Sequence, residues 1–110
     1  MSPDDLAKWA TSGTPNQIGR KGEFLARVNP TTKTQINIAN GSIRIPDKFE
    51  GGIITEVKNV KKLSNTAQLR DFASYAGNNE KILYVRPDTQ VSKSITQAGW
   101  EIRYLWQIPN

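Results

Sequence analysis

Within the stretch RIPDKFEGGIITEVKN, residues 44–59, three side chains have the types and spacing to do chemistry together. Side chains alternate across an extended strand, so Glu56 and Lys58 aim at one face while Thr55 and Val57 aim at the other. An acid and an amine are thereby directed at one spot inside an apolar run, where an unpaired charge is costly and demands a partner or a purpose. If KFEGG forms the turn, Asp47, at the end of the preceding strand, comes to lie beside Glu56. Two adjacent carboxylates repel unless a cation sits between them. Mg²⁺ takes a few carboxylate oxygens, a backbone carbonyl and waters; Asp47, Glu56 and the carbonyl of Val57 supply part of that shell and leave positions for a phosphate and an attacking water. Lys58 then orients the water and stabilises charge developing on phosphorus. Glu23, on a helix upstream, is a further ligand, directly or through water, and Gly22 beside it lets that helix approach.

Composition narrows the chemistry. Among 110 residues there is no His and no Cys, which removes imidazole catalysis, thiolate nucleophiles, disulfides and zinc-cysteine sites. Carboxylates, lysine and a hard cation remain, with Mn²⁺ the alternative to Mg²⁺ and Zn²⁺ poorly served. Fifteen Lys and Arg against ten Asp and Glu give a net charge of +5, which favours a polyanionic partner. Only 36% of residues are hydrophobic and no apolar run approaches the roughly 20 residues that cross a bilayer, so one soluble domain over residues 1–110 is expected. Residues 1–15 read as an N-terminal extension of it. MSPDDLAKWA has two acids and no long apolar segment, so no secretory signal is expected within this chain, and export by a larger parent protein stays open.

The elements that must position these residues follow from local signals. Ser2-Pro3-Asp4-Asp5 starts a short helix running to about Ala10. A second helix is predicted over residues 16–28, with Gly19 and Gly22 marking close packing on a sheet. KTQINIANGSIRIPD alternates on both sides of Asn40-Gly41 and predicts a hairpin; GGIITEVKN makes a third strand. Residues 64–76 carry Leu69, Phe72, Ala73 and Ala76 on one stripe, with Gly77 as the stop. KILYVRP is a strand, TQVSKSITQAG a short helix closed by Gly99, and WEIRYLWQI a last strand. The predicted fold is α/β, a mixed central sheet flanked by helices in the order α-α-β-β-β-α-β-α-β.

RIPD followed by EVK resembles the PD-(D/E)XK signature of restriction-endonuclease-like nucleases, and KGE upstream resembles their helical Glu. Asp47, Glu56 and Lys58 match that motif residue by residue, Glu23 less specifically, and the element order is similar to the family's core from residue 22 onward. GRKGE, RIPD, TEVKN and TAQLRDF together resemble the restriction-endonuclease-fold toxin domains at the C-termini of bacterial polymorphic and contact-dependent toxins. That resemblance implies a metal-dependent endonuclease, DNA favoured over RNA, neutralised by a cognate immunity protein. It implies action in the cytoplasm of a bacterial cell after delivery within a larger secreted toxin. It adds Gln68, on the helix after the motif strand, to the catalytic set of Glu23, Asp47, Glu56 and Lys58.

Plainer readings stand beside these. Glu56 and Lys58 alone make an ordinary salt bridge on a solvent-facing sheet. Gln68 equally suits a helix N-terminus bonded to its loop. Lys61, Lys62, Arg70 and Arg44 either track phosphates or form solvated charge. Trp100, Ile102, Tyr104 and Trp106 fall on one face of the last strand, which suits packing under a helix better than base stacking. A tRNA-cleaving toxin, a repair or junction-resolving nuclease and a catalytically silent nucleic-acid-binding module are the competing functions. Any inhibitor is expected to be acidic and to cover the basic face.

Overall fold

The computed structural model describes residues 2–29 and 33–107. Helix α1 (Pro3–Ala10) starts where the sequence predicts: the Ser2 Oγ accepts the Asp5 N–H at 3.1 Å, and Pro3, Asp4 and Asp5 fill the first turn. Helix α2 (Pro15–Leu25) begins with a capping box between Thr14 and Gln17. It stops three residues short of the expected Val28 because Arg27 takes a left-handed conformation, φ 59°. The Val28 N–H then reaches the Glu23 carbonyl at 2.9 Å and the Arg27 N–H the Phe24 carbonyl at 3.1 Å, the two bonds of a Schellman ending built without glycine.

Strands β1 (Ile36–Asn37) and β2 (Ile43–Arg44) flank Asn40-Gly41 as an antiparallel hairpin, with Gly41 at φ 87°. They form a sheet of their own, not the first two strands of the central one. Strand β3 (Lys48–Glu50) lies within KFEGG, which was expected to be all turn; the turn itself narrows to Gly51 and Gly52, at φ 60° and 80°, which only glycine adopts readily. Next come β4 (Ile53–Lys58), β5 (Lys62–Leu63), α3 (Ala67–Ala76), β6 (Lys81–Val85), β7 (Gln90–Val91), α4 (Lys93–Gln97) and β8 (Glu101–Tyr104). The central sheet runs β3-β4-β6-β8, with β3 antiparallel to β4 and the other pairs parallel, a mixed sheet consistent with a restriction-endonuclease-like fold. Strands β5 and β7 pair in a separate short parallel ribbon.

Two apolar clusters lie on opposite faces of this sheet. Ile54, Leu69, Phe72, Leu83, Val85, Ile95 and Trp100 pack under α3 and α4; Ala10, Leu105 and Trp106 gather Val57, Tyr84 and Leu25 on the side of α1 and α2. The alternation along β4 therefore sends Ile54, Glu56 and Lys58 toward α3, and Thr55, Val57 and Asn59 toward α1 and α2. Gly22 sits where α2 crosses that second face: a Cβ there would lie 2.9 Å from the Asn59 Cβ and 3.2 Å from Val57. Gly19 faces open space, so the close approach belongs to one of the two glycines only.

The last strand is shorter than WEIRYLWQI suggests, and its Ile108 lies outside the described residues. Trp100 precedes β8 and is buried under α3, Tyr104 is half exposed, and Trp106 bends past the strand end into the α1 cluster, so the four residues do not share one face. Among the described residues no helix is long and apolar enough to cross a membrane.

Candidate active site

The β3–β4 register pairs Lys48 with Thr55, so Asp47 continues the ladder beside Glu56. Here side chains replace the backbone rung. The Asp47 N–H donates to the Glu56 Oε1 at 2.7 Å, and the Val57 N–H donates to the Asp47 Oδ2 at 2.8 Å. Each carboxylate thus holds the backbone beside the other, a reciprocal latch that fixes both. Because the N–H and C=O of one strand residue face the same neighbour, the Val57 carbonyl also lies on the edge toward Asp47.

Glu56 is only 2% exposed. Burial, helped by the neighbouring Asp47 carboxylate, pushes its carboxyl up to about 8, against the opposing pull of the Asp47 N–H, Lys58 and Lys33. On the same face, the Lys58 Nζ lies 3.7 Å from the Glu56 Oε2 and donates to the Gln68 Oε1 at 3.1 Å. Gln68 stands in the first turn of α3, which Thr66 caps by accepting the Leu69 N–H at 3.2 Å. Its Oε1 reaches across to Lys58 on the strand.

Glu23 is brought in from α2 by a residue that no motif indicates. The Lys33 Nζ donates to the Glu23 Oε1 at 2.7 Å and to the Asp47 Oδ1 at 3.2 Å, and its own pKa is raised first by the hydrogen bond to Glu23. Lys33 lies in the irregular stretch before β1, ten residues beyond Glu23, where no periodicity or spacing rule applies. The signal that finds it is electrostatic: two converging acids require a cation.

Other predicted residues are placed apart from this cluster. The Arg44 Nε and Nη2 each lie 3.0 Å from the Asp71 Oδ2, one helical turn along α3 from Gln68, so its charge is already balanced. The Arg70 guanidinium donates to the Asn65 carbonyl. Lys61 and Lys62 are exposed beyond the end of β4. A cleft of about 540 Å³, lined by Arg20, Glu23, Phe24, Val28 and Lys33, opens beside the Glu23–Lys33 pair, and 72% of Phe24 is exposed at its wall.

Nucleases of this fold usually use divalent metals, and the donor set permits a test of fit. Among the described residues no three acids converge as a ready-made cage. The ammonium of Lys33 shows, however, that Glu23 and Asp47 together form a seat for a cation, and Asp47 adds its negative charge to the burial that already raises the pKa of Glu56. Carboxylates and a strand carbonyl are hard oxygen donors, so Glu23, Asp47, Glu56 and Val57 fit a hard divalent ion.

No curated protein and no solved structure matches the chain significantly. The family described as restriction endonuclease fold toxin 7 matches residues 19–95, a span holding Glu23, Lys33, the Asp47–Glu56 latch, Lys58 and Gln68. A toxin built on this fold is a nuclease acting on nucleic acid. With most of its length covered by that match, the chain belongs to the restriction endonuclease fold toxin 7 family.

Proposed function

We propose that this chain is an endonuclease that hydrolyses phosphodiester bonds in DNA with Mg²⁺ or Mn²⁺, held by Asp47, Glu56, the Val57 carbonyl and Glu23. The observation that carries the reading is the reciprocal latch of Asp47 and Glu56 with Lys58 on the same strand face. Bound there, the cation would polarise the phosphoryl group and lower the pKa of water. The chain's own residues do the rest. Gln68 accepts a hydrogen bond from Lys58 and leaves that ammonium two further protons to donate, one to position an attacking water and one to a non-bridging phosphate oxygen. The partial burial of Lys58 and the near-complete burial of Glu56 strengthen both interactions, since little water screens them. Arg20, in the cleft beside Glu23, would meet a neighbouring phosphate, and the exposed Lys61 and Lys62 others.

The net charge of +5 supports an acidic immunity protein as the natural inhibitor, and family membership supports delivery within a larger toxin into the cytoplasm of a bacterial cell. The test is cleavage of supercoiled plasmid and, in parallel, total RNA, by the purified chain with Mg²⁺, with EDTA, and as Asp47→Ala. Metal-dependent nicking of plasmid that Asp47→Ala loses is the expected result. Cleavage confined to RNA would move the substrate, and nicking that survives both EDTA and Asp47→Ala would overturn the site.

A further inference from the structure

On the far side of the strand end from Lys58, a cleft of about 470 Å³ lies between α1 and the turn after β6, lined by Ala7, Lys8, Thr11, Lys61, Arg86, Pro87, Asp88 and Trp106. Neither the latch nor the Lys58–Gln68 pair reaches it. Its walls are nonetheless braced with unusual care. Asn59, the residue after Lys58, donates its amide to the carbonyls of Ala10 and Ile18 at 2.8 and 2.9 Å and accepts the Arg86 Nε at 2.8 Å; an Nη of Arg86 adds the Asn59 carbonyl at 3.2 Å. The Thr89 Oγ1 accepts the Arg86 N–H at 3.0 Å and donates to the Val60 carbonyl at 2.7 Å, and the Gln90 N–H reaches the Lys61 carbonyl at 2.9 Å. Two turns are cross-tied to each other and to the end of the catalytic strand. A cleft whose walls are fixed before anything enters binds without the cost of ordering them.

Its chemistry is equally defined. Ala7, Pro87 and Trp106 make an apolar wall, and three cations, Lys8, Lys61 and Arg86, stand against the one acid Asp88. A flat apolar body bearing an anionic group satisfies both parts. The volume lies in the range of small-ligand sites and is too small for a duplex. Lys61 follows Lys58 by three residues, so their Cα atoms are at most about 11 Å apart. We propose, on the footing of the nuclease reading above, that this cleft takes one unpaired nucleotide of the substrate strand. Its phosphate lies on Lys8, Lys61 and Arg86 and its base along Pro87 and the edge of Trp106. The substrate is then cut by preference where one side of the cut has single-stranded character, as at a nick, an end, a branch, a loop or a transiently melted stretch of supercoiled plasmid.

The test is fluorescence anisotropy of the full chain in EDTA, where nothing is cleaved, against a labelled single-stranded oligonucleotide and its duplex. Three proteins are compared: the parent, Lys8→Ala/Lys61→Ala, and Lys48→Ala/Lys93→Ala, which removes two exposed lysines elsewhere. The expected result is a loss of about tenfold or more in single-strand affinity for the cleft variant, against about threefold or less for the charge-matched control and for the duplex, since diffuse charge acts on every phosphate alike. Equal losses in the two double variants would overturn the cleft assignment while leaving the nuclease reading intact. Equal losses on single strand and duplex would overturn the unpaired nucleotide. A parent that binds no oligonucleotide would overturn the cleft assignment, while the nuclease reading stands or falls on the cleavage assay.

Discussion

On the face of β4 that meets α1 and α2, Asn59 is buried with both ends of its amide engaged, and α2 comes close enough at Gly22 that a single added carbon would collide. On the face that meets α3, Glu56 is buried as deeply, yet its carboxyl is held far from its ordinary ionisation and its nearest neighbour is another acid. One strand thus separates a polar group whose burial is offset by hydrogen bonds from one whose burial is offset only in part. The first fastens helices to the sheet; the second is a buried carboxyl whose ionised form a nearby cation would stabilise.

Four substitutions put that contrast to the test. The largest effect is expected at Lys58→Ala, which removes the donor on the α3 face and should lower plasmid cleavage by about a hundredfold to a thousandfold, a typical loss for one preorganised donor. Its melting temperature should hardly move; a variant that cleaves at the parental rate would remove Lys58 from the mechanism. Asn59→Ala should do the reverse in kind. It removes the amide that serves the Ala10 and Ile18 carbonyls and the Arg86 Nε, leaving Arg86 the Asn59 backbone carbonyl alone, for about 2–4 kcal/mol of stability by urea unfolding. Unchanged unfolding would mean that the Asn59 amide adds nothing to what already holds the two helices.

The third is a matter of pH. The native state binds the Glu56 proton more tightly than the unfolded chain does, so in EDTA stability should fall as pH rises from 4.5 toward about 8, by about 1.4 kcal/mol for each unit of separation between the two pKa values. Glu56→Gln should flatten that part of the profile and be the more stable protein at pH 8, while losing cleavage. A parent that does not lose stability against Glu56→Gln over that range would mean that the carboxyl is relieved in the native protein. The smallest is Arg27→Gly, which relieves a left-handed residue at the end of α2 and should raise stability by about 1 kcal/mol with cleavage unchanged.

Much of the α3 face was legible in the sequence because strand alternation and the acid-x-lysine spacing are local. Asp47, Glu56 and Lys58 converge as those rules require, and Gln68 joins them from the helix. Gly22 was legible for the same reason, as a glycine placed one residue before an acid that must approach the sheet. What stayed hidden depends on tertiary context. Lys33 is drawn in by two acids from different elements, β3 pairs although it sits in a glycine-rich turn, and α2 closes on an arginine where glycine is the usual signal. Trp106 leaves the pattern of its strand because the chain bends after Tyr104, an event that period-two alternation cannot anticipate.

The turn at Gly51–Gly52 has a consequence for how this chain tolerates mutation. With the latch, it sets the offset of β3 against β4, and a slip of one position carries Asp47 to the opposite side of the sheet. A single-codon insertion or deletion there would keep Asp47, Glu56 and Lys58 in the chain, yet uncouple the two acids and turn Phe49 away from the α3-side cluster. On the nuclease reading, its product would keep the family's sequence almost letter for letter and lose the paired acids that cutting requires.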